Sequence, residues 1–159
     1  MSGIIGGAGS KSGVIGQTEI DYEEGTFTAI PADSSGNVDT TKQVVGQYTK
    51  VGRMVTIQFG KANVTTSGLT SSDVFRVNGL PFASNSMASG NQGWVGVAST
   101  ARIPYPANDD IVATPYVVTG QSYIQFWKSG MDSYTGDILV SELNSGGSDY
   151  AVSITYFVA

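Results

Sequence analysis

The chain has 159 residues and a net charge of −5, and its eight Lys and Arg form no basic run. That argues against nucleic acid as a partner, because phosphate binding needs clustered cations. Cys and His are both absent, which removes disulfides, thiolate metal and redox chemistry, the commonest general base and the commonest transition-metal ligand.

Charged residues make up only 13% and Gly numbers 21. With abundant Ser, Thr, Val and Tyr, this balance predicts a single turn-rich β domain large enough to bury a core. The longest apolar runs fall far short of the roughly 18 to 20 residues of a spanning helix, so no membrane partner is expected. The opening Met-Ser-Gly-Ile-Ile-Gly-Gly-Ala-Gly-Ser-Lys has no basic lead followed by an apolar core, and no secretory signal is expected there.

Residues 1–18 form a glycine-rich arm whose aliphatic anchors are Ile4, Ile5, Val14 and Ile15. Ordering it costs roughly 1 to 2 kcal/mol per residue in backbone entropy, while burying four aliphatics returns about 1.5 to 3 kcal/mol apiece. The deficit predicts that the arm finds no rest on its own body and docks on a neighbouring subunit. The expected division is an extended arm over 1–20 and a β domain over 21–159, with Tyr22 at the junction.

The acidic stretch Asp21-Tyr22-Glu23-Glu24-Gly25 leads into a strand over 26–30. Its carboxylates lack the alternating spacing of a Ca²⁺ loop, and it is read as a solvated cluster guarding an edge strand. A polar loop is expected over 31–41. Two strands over 44–62 meet at Val51-Gly52-Arg53, where Gly52 can supply the positive φ of a hairpin turn. Beyond the turn Val55, Ile57 and Phe59 face one way and Met54, Thr56 and Gln58 the other, the alternation of a half-buried strand.

Short strands are predicted over 74–78 and 94–102. Gly120-Gln121 is expected to form a two-residue turn between strands 111–119 and 122–127, with an exposed tip over 128–136. A short strand or turn over 138–143 follows, and Tyr150, Val152, Ile154, Tyr156 and Val158 alternate along a closing strand. About eight strands without a fixed repeat predict an all-β, antiparallel β-sandwich of jelly-roll-like type, with the extended glycine-rich arm at its N-terminus.

Several of these stretches resemble the small β-structured virion proteins of tailed bacteriophages, the head-decoration, head-fibre and tail-fibre types. Lys11-Ser12-Gly13-Val14-Ile15-Gly16 is similar to the segment ahead of their β domain. Asp21-Tyr22-Glu23-Glu24-Gly25-Thr26-Phe27-Thr28 resembles their acidic D-Y-E-E-G-T-W-T stretch, with Phe27 where Trp is usual. Tyr48-Thr49-Lys50-Val51-Gly52-Arg53 resembles their Y-T-K-I-G hairpin, and Gly79-Leu80-Pro81-Phe82 their G-L-P-F strand end. The resemblance spans roughly residues 9–83 and implies a non-enzymatic virion structural protein, often trimeric. Fibre proteins carry such a domain at the end of a long stalk, whereas here it follows a 20-residue arm, which favours a capsid decoration (cement) or head/tail assembly protein.

The expected partners are then other copies of the chain, most simply a trimer, and a major capsid or tail protein. The expected place is the virion, assembled in the host cytoplasm, and no cofactor or metal is implied. The arm interface would comprise Ile4, Ile5, Val14, Ile15 and Tyr22.

The alternative is a tail- or head-fibre domain that binds a host-surface glycan or receptor, through flat aromatic faces among Trp94, Tyr105, Tyr116, Trp127 and Tyr134. Two coplanar aromatics open to solvent at the 128–136 tip would mark it, with Trp94, Trp127 and Tyr134 as the residues concerned. A glycan-cleaving enzyme would need two carboxylates facing each other about 5 to 9.5 Å apart. Neither Asp109-Asp110 nor the Asp21 to Glu24 cluster implies such a pair, so no catalytic residue is assigned.

Overall fold

A computed structural model describes residues 21–86, 93–101, 112–129 and 135–159. Ten strands carry these residues: β1 (Tyr22–Asp33), β2 (Val44–Val51), β3 (Met54–Val64), β4 (Phe75–Asn78), β5 (Trp94–Val95), β6 (Val97–Ala101), β7 (Val112–Val117), β8 (Tyr123–Ser129), β9 (Thr135–Asp137) and β10 (Ser148–Phe157). Single 3-10 turns lie at Thr40–Lys42 and Val140–Glu142, and there is no α-helix among the described residues. The chain is all-β, and every strand pairing is antiparallel.

The strands follow one path, β5-β7-β8-β4-β1-β2-β3-β10-β6, with β9 added to β8. Its two ends, β5 and β6, are consecutive pieces of one stretch joined at Gly96, so the sheet nearly closes on itself in a barrel-like shape. Two segments pass from one half to the other. Residues 22–29 of β1 pair with β2, and residues 30–33 pair with β4. Similarly β5 pairs with β7 while β6 pairs with β10. Half A is therefore β1(22–29)-β2-β3-β10-β6, and half B is β5-β7-β8-β4-β1(30–33).

The core lies where the halves face each other. Tyr150 of β10 meets Phe59 of half A and Phe75 and Phe126 of half B, with ring centroids 5.7 to 6.2 Å apart. Val55, Ile57 and Phe59 of β3 are buried together with Tyr150, Val152, Ile154 and Tyr156 of β10, as their alternation predicts. An extra residue in β3 breaks the register between Ser148↔Val64 and Tyr150↔Lys61. Asn63 takes a φ of 53°, and its N–H donates to the Asp149 carboxylate at 2.8 Å. This bulge returns Val64 to the core, which strict alternation from Phe59 would have turned outward.

Three local expectations change. Trp94 to Ala101 is two strands rather than one, because Gly96 sits where the chain leaves β7 for β10. The segment 31–41 is not simply a loop: β1 continues through Pro31 to Asp33. Gly120 does not open a two-residue turn; it is the third residue of a turn in which Gln121 N–H donates to Val118 O at 3.0 Å. Its φ of 72° is what the third position of a type II turn demands.

Candidate functional site

The outer face of half B carries a concavity of about 560 Å³ lined by Thr114, Tyr116, Gln125, Trp127 and Asp137, with Gly93 and Val95 at one end. Two cross-strand rows build it. Thr114, Trp127 and Asp137 are register partners across β7, β8 and β9; Val95, Tyr116, Gln125 and Arg76 are partners across β5, β7, β8 and β4. Alternation along each strand puts all of them opposite the buried Ala113, Val117, Ile124 and Phe126.

A directed chain of hydrogen bonds runs under this surface. The Tyr116 hydroxyl donates its one hydrogen to Asp137 Oδ1 at 2.6 Å. It must therefore accept from Gln125, whose Nε2 lies 2.8 Å away, and this orients the amide so that Oε1 accepts from Arg76 Nε and Nη2 at 3.0 and 3.2 Å. Arg76 also stacks over the Tyr123 ring at 4.3 Å. A cation and a carboxylate are thus linked through a neutral amide and phenol. Burial, then the bond to Asp137 and its charge, hold the Tyr116 phenol well above the ordinary tyrosine range, so it remains a donor at any ordinary pH.

The outer face of half A carries a different surface. Tyr22, Val51, Met54 and Phe157 are consecutive register partners across β1, β2, β3 and β10. All four point outward, with exposures of 59%, 37%, 40% and 40%. The Trp94 ring extends this apolar row, its centroid 5.0 Å from that of Phe157. Next to the row the face turns polar, with the Thr56 and Thr155 hydroxyls bonded at 2.9 Å. Tyr22 donates to Glu24 Oε2 at 2.8 Å, and that bond with the carboxylate's charge raises its phenol.

The acidic stretch holds ordinary surface partners. Asp21 pairs with Lys50, and Glu23 accepts from Tyr48 at 2.5 Å. Among the described residues, 22–29 pair with β2 alone, which makes this half of β1 an edge there, as the charge cluster predicts. No group of three Asp or Glu among the described residues could hold a metal ion.

Three of the quoted stretches converge on Tyr48. It is the register partner of Gly25, where a β-carbon would come within 2.8 Å of the Tyr48 hydroxyl. On its other side Phe82 meets it edge-on at 5.4 Å, and Phe82 O accepts from the Tyr156 hydroxyl at 3.0 Å. Gly79, with φ 94°, leaves room for Thr28 O where a β-carbon would stand at 2.1 Å.

Of the residues singled out from sequence, Ile4, Ile5, Val14, Ile15, Tyr105 and Tyr134 lie outside the described residues. Tyr22 joins the apolar row. Trp94 is half-buried against Phe157, a packing role, while Trp127 is 42% exposed at the concavity. Two coplanar exposed aromatics are not found among the described residues; Trp127 stands with polar partners instead. Sequence reasoning missed Thr114, Gln125 and Asp137, which carry no signal until the strands are in register. Met54 and Phe157 were findable as apolar residues on the wet side of an alternating strand. No family model matches the chain, and no curated protein matches it.

Proposed function

We propose that the chain is a non-enzymatic structural protein of a bacteriophage particle, a capsid decoration or head/tail assembly protein. The observation that carries this reading is the outward row Tyr22, Val51, Met54 and Phe157 beside the point where residues 1–20 join β1. Apolar side chains in a contiguous row on a wet sheet face gain about 25 cal/mol per Å² when another surface covers them. The arm, with Ile4, Ile5, Val14 and Ile15 spread through a glycine-rich stretch, has the complementary need. Each is satisfied when copies associate, and a trimer is the assembly the resemblance favours.

The three stretches on which the resemblance to phage virion proteins rests meet at Tyr48 and build one structural unit. In this reading halves A and B are the two layers of a jelly-roll-like sandwich, with β1 and the β5–β6 stretch as the segments that change layer. The net charge of −5 suits a protein partner, a major capsid or tail protein, better than nucleic acid. No described helix is long and apolar enough to cross a membrane. Such a protein works in the virion, assembled in the host cytoplasm, and stabilises it by binding the assembled shell and not its separated parts.

The test is incorporation. Deleting residues 1–18 abolishes incorporation into particles while circular dichroism and thermal unfolding show residues 21–159 still folded. Undiminished incorporation of the shortened chain would overturn the reading.

A further inference from the structure

The concavity on the outer face of half B is independent of the apolar row, and its chemistry suits a different ligand. We infer that it binds the pyranose ring of a neutral sugar. Trp127 is 42% exposed at this concavity, and the flat, polarisable face of an aromatic ring matches the row of axial C–H groups on one side of a pyranose. Its register partners on either side are polar: the Thr114 hydroxyl on β7 and the Asp137 carboxylate on β9. Two strand spacings, about 10 Å, separate those flanks, so a ring lying on Trp127 has its equatorial hydroxyls directed toward both. The volume of about 560 Å³ falls within the ordinary range of small-molecule sites, roughly 300 to 1,000 Å³.

The polar groups are held in place before a ligand arrives. Asp137 Oδ1 is fixed by the Tyr116 hydroxyl, which Gln125 and Arg76 orient in turn. Asp137 Oδ2 has no partner among the described residues, which leaves it as an acceptor for a sugar hydroxyl. Thr114 can both donate and accept, as sugar hydroxyls require. At one end Gly93 lets the backbone lie close against β7, since a β-carbon there would stand 1.7 Å from Val117 O and 2.9 Å from the Tyr116 ring.

The charges argue for a neutral ligand. The carboxylate is balanced through the relay by the Arg76 guanidinium, so the site is bipolar rather than anionic. Of the two lining aromatics only Trp127 is exposed while Tyr116 is half-buried, and two rings without a surrounding cage give little grip on an organic cation. A hydroxyl-bearing ring satisfies both the flat apolar face and the paired donor and acceptor positions.

The experiment uses the full chain and a panel of free monosaccharides: glucose, galactose, mannose, fucose and N-acetylglucosamine. Saturation-transfer NMR is expected to show at least one of them bound saturably with millimolar affinity, its ring C–H protons receiving the strongest transfer. Binding falls at least tenfold in Trp127→Ala and in Asp137→Asn, and is unchanged in Met54→Lys on the apolar row. Trp127→Leu serves as the control for folding, since it keeps an apolar side chain but removes the flat face; it too loses binding while unfolding at the parent's temperature. The inference is overturned if no sugar in the panel binds saturably, or if binding survives in Asp137→Asn or Trp127→Leu. Loss of binding in Met54→Lys as well would overturn it too, by placing the ligand on the assembly surface.

Discussion

The backbone of Gly96 lies directly against Ile154: a β-carbon on Gly96 would stand 2.1 Å from Ile154 Cγ1 and 2.5 Å from the Ser153 carbonyl oxygen. This contact is where the sheet nearly closes, since Gly96 joins β5 on half B to β6 on half A and its N–H donates to Pro115 O at 2.9 Å. Gly96→Ala therefore forces either Ile154 out of its core position or β5 away from β7. Overpacking of this kind costs about 1 to 3 kcal/mol. Denaturant unfolding should show a loss in that range, against a loss under about 0.5 kcal/mol for Ser99→Ala on the outer face of β6.

The same contact marks how far the sequence could be read. Alternation located β3 and β10 with their inner faces, because each is long and pairs within a single half, so Val55 to Phe59 and Tyr150 to Tyr156 keep strict period two. It ran Trp94 to Arg102 together as one strand, since Gly96 has no side chain to reveal that its neighbours pair with different partners. Pro31 looked like a strand end, yet it pairs with Val77 on β4 with its carbonyl turned to Asp39 N–H at 2.8 Å. The concavity was less legible still. Trp127 stood out by residue type, but Asp137 becomes its neighbour only through the β8–β9 register, a long-range fact that no local pattern carries.

Two core tyrosines make opposite predictions. Tyr156 donates to Phe82 O at 3.0 Å, so Tyr156→Phe leaves a half-buried carbonyl short of a partner and costs about 0.5 to 1.5 kcal/mol. The Tyr150 hydroxyl is buried among Phe59, Phe75 and Phe126 with no partner among the described residues, and burial holds its phenol above the ordinary range. Tyr150→Phe removes a desolvated polar atom from an aromatic cluster. It is expected to leave stability unchanged or raise it by about 1 kcal/mol. Paired thermal melts of the two variants check the contrast, and equal losses would contradict it.

Acid should unfold the domain partly through Asp33. Burial raises this carboxyl, but the Thr70 N–H at 2.7 Å, the Asn37 side-chain amide at 2.7 Å and the Asn37 N–H at 2.9 Å outweigh it and hold the group below its usual 3.8. Asp39 is lowered in the same way against its burial, by bonds from Thr41 and Thr65. For a depressed carboxylate the stabilisation is complete above the unfolded value and disappears as pH falls through the lower folded value. Asp33→Asn is destabilised at pH 7 by about 1 to 3 kcal/mol, because an amide presents its own N–H groups to donors. The gap between parent and variant closes below about pH 4, which a series of melts from pH 7 to pH 2 measures. A gap that stays constant to pH 2 would show that Asp33 does not contribute as a carboxylate.

The apolar row makes the last prediction. Val51 and Met54 are partners across the Gly52 turn, and Phe157 is the partner of Met54, so three strands contribute to one outward surface. Because these side chains face outward, replacing Met54 by Lys removes little of the monomer's own packing and should change its unfolding free energy by no more than about 0.5 kcal/mol. In an assembly that covers the row, the same change buries an ammonium group without a partner, which costs several kcal/mol per interface and weakens association by orders of magnitude. Sedimentation velocity should therefore show the full chain as a trimer and Met54→Lys as a monomer with an unchanged melting curve measured at low concentration. Lys61→Met on the same strand, away from the row, should sediment like the parent. A parent that sediments as a monomer at micromolar concentration, or a Met54→Lys variant that remains a trimer, would remove the row from the assembly surface.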